Sequence, residues 1–180
     1  AEGLGGRSRT GSATLWQRNL HLAGGWRADH GIGVLNTPSL PLQRNQYRFF
    51  LPTTPLAGAA GDWLQAASGL RLQAAYGRAG RYTGARLVGF DTADGDVATF
   101  GLQADWTPRW STALSFLGTR GRIVPDGAGG GVFDPRDTRA VHAATLWRGD
   151  ADAVQLNLLG SDGDDGQAAG AWIDASARRG

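Results

Sequence analysis

Two runs of carboxylates are the residues best placed to do chemistry in this 180-residue chain: Asp91-Thr-Ala-Asp94-Gly-Asp96 and Asp162-Gly-Asp164-Asp165-Gly. Oxygen-rich loops with Gly at the bend can coordinate Ca²⁺, so Asp91, Asp94, Asp96, Asp162, Asp164 and Asp165 are candidate metal ligands. Neither run has the spacing or the closing Glu of an EF-hand loop. Turns also select Asp and Gly for backbone reasons, and a solvated turn is the preferred reading. His21, His30 and His142 lie far apart, without partners at ligand spacing. No G-x-S-x-G occurs, and Gly127 to Gly131 lacks the Gly-Lys-Ser/Thr that completes a phosphate loop. Cys is absent, which excludes disulfides, thiolate catalysis and Cys-ligated metal. No catalytic residue and no cofactor are therefore expected, and the chain is not read as an enzyme.

Composition points to strands. Gly is abundant, at 29, and each Gly disfavours a helix interior by about 1 kcal/mol relative to Ala. Trp is frequent, at 7, and every basic residue other than His is Arg. The formal net charge of +2 is too small to argue for nucleic acid. No run approaches the 18 or so apolar residues of a membrane-spanning helix. That criterion is blind to barrels, whose strands are half polar. Met is also absent, which reads as a processed chain or a portion of a longer one.

The clearest element is Val97 to Trp106, where Ala98, Phe100, Leu102, Ala104 and Trp106 share one face. Thr99 and Gln103 lie on the other, the period-2 pattern of a strand. Thr107-Pro108-Arg109 reads as a tight turn. Beyond it Trp110, Leu114 and Phe116 share a face, against Ser111, Ala113 and Ser115. Arg139 to Trp147 sets Val141, Ala143, Thr145 and Trp147 together, and Ala153 to Leu159 sets Val154, Leu156 and Leu158 against Gln155 and Asn157. Upstream, Leu70, Leu72, Ala74 and Tyr76 oppose Arg71 and Gln73. Further strands are expected at Ala13 to Ala23, Trp26 to Leu35, Asn45 to Leu51, Arg81 to Phe90 and Gln167 to Arg178. In the last, adjacent Trp172 and Ile173 leave the outer face unassigned. Pro38 and Pro41 mark a loop, and Leu56, Ala60, Trp63 and Ala67 recur at near-helical spacing, which suggests a helical loop insertion over 52–67.

Connection lengths alternate. Those at Arg78–Gly80, Thr107–Arg109 and Arg148–Asp152 are short, whereas Asp91–Asp96, Arg120–Thr138 and Gly160–Gly166 are long and rich in Gly and Asp. In a meander, alternate connections share an end. Asp94, Asp134 and Asp164 are thus expected at one end, with Arg78, Pro108 and Gly149 at the other. Trp106, Trp110 and Trp147 should form a girdle near the short turns. Outward faces of the best strands carry no charge, as a lipid-facing surface requires.

The stretch VATFGLQADWTPRWSTALSF, Val97 to Phe116, resembles two strands of a bacterial outer-membrane β-barrel joined by a periplasmic turn. The resemblance covers most of residues 68–178. Gly-rich segments of pilus-assembly ushers and large export porins are similar in texture, but no diagnostic motif carries a functional residue over. Many such barrels end on an aromatic residue; this chain ends Ala-Arg-Arg-Gly, which reads as a missing terminus or a barrel that continues. The resemblance implies an all-β antiparallel meander, residues 1–180 forming all or part of a transmembrane barrel of about 8–10 strands. Phe100, Leu102, Trp106, Trp110, Leu114, Phe116, Val141 and Trp147 would face lipid. Arg71, Gln73, Thr99, Gln103, Gln155 and Asn157 would line the lumen, with Arg18 and Arg86 as further candidates. The implied function is a non-enzymatic transport, export or secretion channel of the Gram-negative outer membrane. Its partners would be the lipid bilayer, lipopolysaccharide and a transported solute, polymer or pilus subunit, with no nucleic acid. The alternative is a surface-exposed soluble β-domain for adhesion or structural interaction.

Overall fold

A computed structural model describes residues 12–44, 51–83, 89–122, 137–164 and 166–177. They form one antiparallel sheet of nine strands in sequence order: β1 (Thr14–His21), β2 (Trp26–Asn36), β3 (Pro55–Gln65), β4 (Leu70–Thr83), β5 (Gly89–Thr107), β6 (Trp110–Arg122), β7 (Thr138–Arg148), β8 (Asp152–Gly163) and β9 (Gly166–Ala177). Among the described residues the sheet is not closed; β1 and β9 are its edges. Among those residues no helix is long and apolar enough to cross a membrane. Their one α-helix is a single turn, α1 (Pro41–Arg44), inside the connection between β2 and β3.

The pleat that defines β5 and β6 propagates through register across the sheet. Leu72, Leu102 and Leu114 align in one row, and Ala74, Phe100, Phe116 and Val141 in the next. One face is covered at its centre by residues around α1 and is termed the inner face; the other is the outer face. Tyr76 (62% exposed), Phe100 (50%) and Trp106 (62%) stand on the outer face. Gln73, Gln103 and Ala113 are buried on the inner one. At the β8–β9 ladder, Leu156 pairs with Ile173, which places Ile173 outside and Trp172 inside and resolves that ambiguity.

Short connections at residues 22–25, 66–69, 108–109 and 149–151 share one end, here the lower. Gly69 sits in the left-handed region (φ 65°) at the β3–β4 turn, where a Cβ would meet Asp105 Cβ at 2.8 Å. The longer connections at 37–54 and 123–137 leave from the upper end, as does the β8–β9 turn. Loop sorting holds only in part: Pro108 and Gly149 lie at the lower end, but the expected long loop Gly160–Gly166 is a turn as short as the lower ones, because β8 runs to Gly163 and β9 opens at Gly166. Asp94 pairs in register with Arg122 near the top of β6, and Asp164 lies at the upper turn. Asp134 falls outside the described residues.

Several expected boundaries differ. Arg78–Gly80 is not a turn and Asp91–Asp96 is not a loop; both lie inside strands, with Arg78 opposite Asp96 and Arg81 opposite Asp91. Arg78 is accordingly near the upper end, not the lower. Arg81 to Phe90 is no single strand: Arg81–Thr83 closes β4, Gly89–Phe90 opens β5, and 84–88 lie outside the described residues. The proposed helical insertion over 52–67 is mostly β3. Its near-helical spacing is overridden by small residues that admit a neighbouring backbone: a Cβ on Gly58 would meet the Tyr76 carbonyl oxygen at 2.1 Å. The expected strand Asn45 to Leu51 lies outside the described residues up to 50, and Leu51 itself is not in a strand.

Candidate functional site

The described parts of the connection between β2 and β3, 37–44 and 51–54, lie over the inner face. The connection is pinched where it leaves the sheet: the Thr37 amide donates to the Thr54 carbonyl (3.0 Å), and the Thr54 amide to Thr37 Oγ1 (2.9 Å). Pro38 and Pro41 suit this irregular path because their fixed φ and missing N–H disfavour further strand pairing. From the pinch, Leu40 descends until it is fully buried against Gly101 on β5. A Cβ at Gly101 would lie 3.1 Å from Leu40 Cγ, so glycine there is what admits the loop. Leu40 and Leu42 join Ala113, Ala144 and Leu146 in one apolar cluster.

Polar groups of the inner face then hold the loop by its backbone. The Leu42 amide donates to Gln103 Oε1 (3.1 Å), and its carbonyl accepts from Gln155 Nε2 (3.1 Å). Gln43 Nε2 donates to the His142 carbonyl (2.8 Å), while Gln43 Oε1 accepts from Ser115 Oγ. Each bond satisfies a buried group that would otherwise lose its water partner at a cost of about 1–3 kcal/mol. The loop is thus a fitted plug bridging β5, β6, β7 and β8. Above it a cavity of about 260 Å³ opens between Arg44, Thr53, Gln73, Thr99, Ser115 and His142.

Beside the plug, β3 and β4 carry an ion pair. Arg71 Nε and Nη2 donate to both oxygens of Asp62 (2.8 and 2.6 Å), and Gln73 Nε2 adds a bond to Asp62 Oδ2 (2.8 Å). Further along, His142 Nε2 lies 3.3 Å from Asn157 Oδ1, with the Trp172 ring 5.8 Å from the imidazole. Trp172 Nε1 donates to Asp174 Oδ2 (3.0 Å).

All six residues expected to face a lumen, Arg71, Gln73, Thr99, Gln103, Gln155 and Asn157, lie on the inner face. The eight expected to face lipid, Phe100, Leu102, Trp106, Trp110, Leu114, Phe116, Val141 and Trp147, share the outer face. Trp110 is opposite Trp147, and the Trp106 and Trp110 rings are 6.1 Å apart, so the lower aromatic group is assembled as expected. Arg18 stacks 4.7 Å above the Trp16 ring near the β1 irregularity, and Arg86 lies outside the described residues.

Among the described residues the carboxylates of the two runs do not gather as a metal site. Asp91, Asp94 and Asp96 are strung along β5 with Arg81, Arg122 and Arg120 in register opposite. Asp162 faces Arg139, and Asp165 lies outside the described residues. Among the described residues no group of three or more His, Cys, Asp or Glu could hold a metal ion. Extension of the strands separates residues that a loop would have folded together.

Sequence reasoning missed the plug. Leu40, Leu42 and Gln43 fall in a Pro-marked loop, and no periodicity signals an irregular segment whose partners are distant in sequence. The available signal was Leu-Pro-Leu-Gln itself, apolar residues in a segment otherwise expected to be solvated. No protein-family model matches the chain, nor does any curated protein or solved structure.

Proposed function

We propose that this chain forms the wall of a bacterial outer-membrane β-barrel that acts as a gated, non-enzymatic conduit, with the β2–β3 loop as its plug. The observation that carries the reading is the outer face. On β5 it bears no Asp, Glu, Lys or Arg from Ala98 to Trp106, and on the other strands the rows aligned with Phe100, Leu102 and Ala104 bear none; the row of Ala98 already reaches Arg139 on β7 and Asp162 on β8. Tyr76, Phe100, Trp106, Trp110, Leu114, Val141, Leu158 and Ile173 are all exposed there. A water-soluble monomer rarely exposes more than a few hundred Å² of contiguous apolar surface. The uncharged stretch of β5 is about as long as the 9–11 residues that a tilted strand needs to cross a bilayer.

Charge returns towards the ends of that face: Arg78, Asp94, Asp96, Arg120, Arg139 and Asp162 above, Asp152 below. The lower Trp group would sit at the periplasmic interface, and the upper charged rows would meet lipopolysaccharide. The inner face is polar around Asp62, Arg71 and Gln73, which suits a hydrated path beside the plug.

The test is extraction followed by reconstitution. The chain should require detergent, shift its gel mobility on heating, and give larger single-channel currents when residues 38–53 are replaced by a short Gly-Ser linker. Full solubility in buffer would reject the membrane reading. Heat-modifiable protein whose conductance ignores the plug would reject the gate and leave an anchor.

A further inference from the structure

The cavity above the plug has two sides. The connection contributes Ser39, Arg44 and Thr53, and the sheet contributes Gln73, Thr99 and Ser115. Two polar groups on the sheet side have nothing to bond. Gln73 is only 1% exposed, yet its Oε1 has no hydrogen-bond partner among the described residues; Thr99 Oγ1, also buried, has none either. A buried group left this way loses its water without replacement. Nothing in the register calls for a hydroxyl there: Thr99 lies between Ala75 and Leu117, with Ala60 and Ala140 next along the row. An apolar side chain would continue that row without the cost.

The bonds already made fix what each group can still offer. Gln73 Nε2 donates to the Asp62 carboxylate (2.8 Å), which can only accept, so the amide cannot be turned and Oε1 is what remains. Ser115 gives its proton to Gln43 Oε1 and keeps only lone pairs. Ser39 Oγ accepts from Arg44 Nε (3.2 Å) and keeps its proton. Thr99 can donate or accept. An ionised carboxylate brings only acceptors to Gln73 and Ser115, which need donors. A cation would meet Arg44, and among the described residues no Asp or Glu lines the cavity to offset it. Hydroxyl groups both donate and accept, and they carry no charge.

Resting on the docked connection, and not on what the outer face meets, we infer that this cavity binds a small, neutral, polyhydroxylated solute. Gln73 Oε1, Thr99 Oγ1 and Ser115 Oγ hold it from the wall, and Ser39 holds it from the connection. The cavity of about 260 Å³ falls just short of the roughly 300–1,000 Å³ of pockets that take drug-sized ligands. It is also far larger than the share of about 30 Å³ that one bridging water would fill. A single sugar ring or cyclic polyol is of the right size.

The experiment is saturation-transfer NMR and calorimetric titration of the full chain with D-glucose and myo-inositol. Acetate and methylammonium serve as charged probes. The chain is kept in buffer or, if it requires detergent, in one without a sugar headgroup. At least one polyol should saturate the protein by about 10 mM, and the charged probes should not bind. Thr99→Val should weaken that binding about tenfold or more with no loss of thermal stability, because the missing hydroxyl has no protein partner. Thr99→Ser should keep the affinity within about threefold. Failure of both polyols to saturate by about 10 mM would overturn the assignment and leave a cavity of ordered water. So would an affinity indifferent to Thr99→Val, a Thr99→Val chain that no longer folds, or binding of a charged probe in preference. Full solubility in buffer, or conductance that ignores the plug, would reject the conduit reading and leave these titrations to be judged separately.

Discussion

The outer and inner faces of this sheet are built on opposite logics. The outer face is interchangeable: Phe100, Leu114, Val141 and Leu158 meet no specific partner, and what unites them is the absence of charge over the middle of each strand. The inner face is particular. Gly101 accommodates Leu40, Gln103 and Gln155 clamp the two sides of Leu42, and Ser115 meets Gln43. A surface designed for a fluid solvent needs only the right polarity, whereas one designed for a fitted segment needs the right atoms. The contrast predicts where substitutions will be tolerated, and on which measurement each will register.

The largest effect should come from charge at mid-height outside. Leu114→Arg is expected to cost about 2–4 kcal/mol of folding free energy in lipid vesicles. Leu114→Phe should cost little, because the face asks for polarity and not for shape. Urea titration of the vesicle-folded protein measures both. If Leu114→Arg is neutral, the outer face does not meet hydrocarbon.

Next is the plug. Gly101→Val places two methyl groups where Leu40 now lies, and overpacking of this kind typically costs about 1–3 kcal/mol. The loss should fall on the docked loop before the sheet: protease cleavage within the β2–β3 connection should accelerate while the heat-modifiable band expected of the proposed barrel persists. Leu40→Ala, in the same background, should restore protection in part by making room. Unchanged cleavage in Gly101→Val would show that the loop does not dock at Gly101.

The difference between the faces also explains what was legible. Period-2 alternation is a local property, so the orientations of Phe100, Gln103, Leu114 and Val141 could be read directly, and strand polarity followed from counting. The strand extensions at Asp91–Asp96 were not legible, because Asp and Gly signal loops in general. Beyond the apolar band, however, a strand can be as charged as its neighbours allow, and the Arg residues opposite in β4 and β6 supply that allowance. The helical reading of 52–67 failed for a related reason. Ala and Gly at β3 permit close backbone approach, a tertiary advantage that the spacing of Leu56, Ala60, Trp63 and Ala67 does not reveal. The plug depends on pairings such as Leu42 with Gln103 and Gln155, across 61 and 113 residues, which no window along the chain can contain.

A smaller effect is expected beside the plug. Asp62→Asn leaves the Arg71 guanidinium, about a quarter exposed, with a neutral partner instead of a bidentate one. Solvent reaches the pair, so the loss should be near 1 kcal/mol, well below the several kcal/mol of a fully buried pair. Conductance is the sharper readout: an unneutralised Arg71 on the inner face should shift selectivity towards anions, measured as a reversal potential under a salt gradient. An unchanged potential would place this cluster off the conducting path.

The smallest effect belongs to the lower turns, and it sharpens the comparison by testing what lies outside both faces. Arg109 Nη2 bonds Asp150 Oδ1 at 2.7 Å, yet the side chains are 60% and 91% exposed. The turns are already held without them: the Arg148 amide donates to the Arg109 carbonyl (2.8 Å), and Trp110 Nε1 donates to Thr145 Oγ1 (3.0 Å). An exposed ion pair of this kind is screened by water and salt and must immobilise two flexible side chains. Its coupling is therefore expected at about 0–0.5 kcal/mol in a double-mutant cycle of Arg109→Ala and Asp150→Ala, falling further at high salt. A coupling above about 1 kcal/mol would mean that the turn is desolvated, by a headgroup layer or by another protein. The lower Trp row would then lie deeper than an interfacial girdle, and the height assigned to the apolar band would have to move with it.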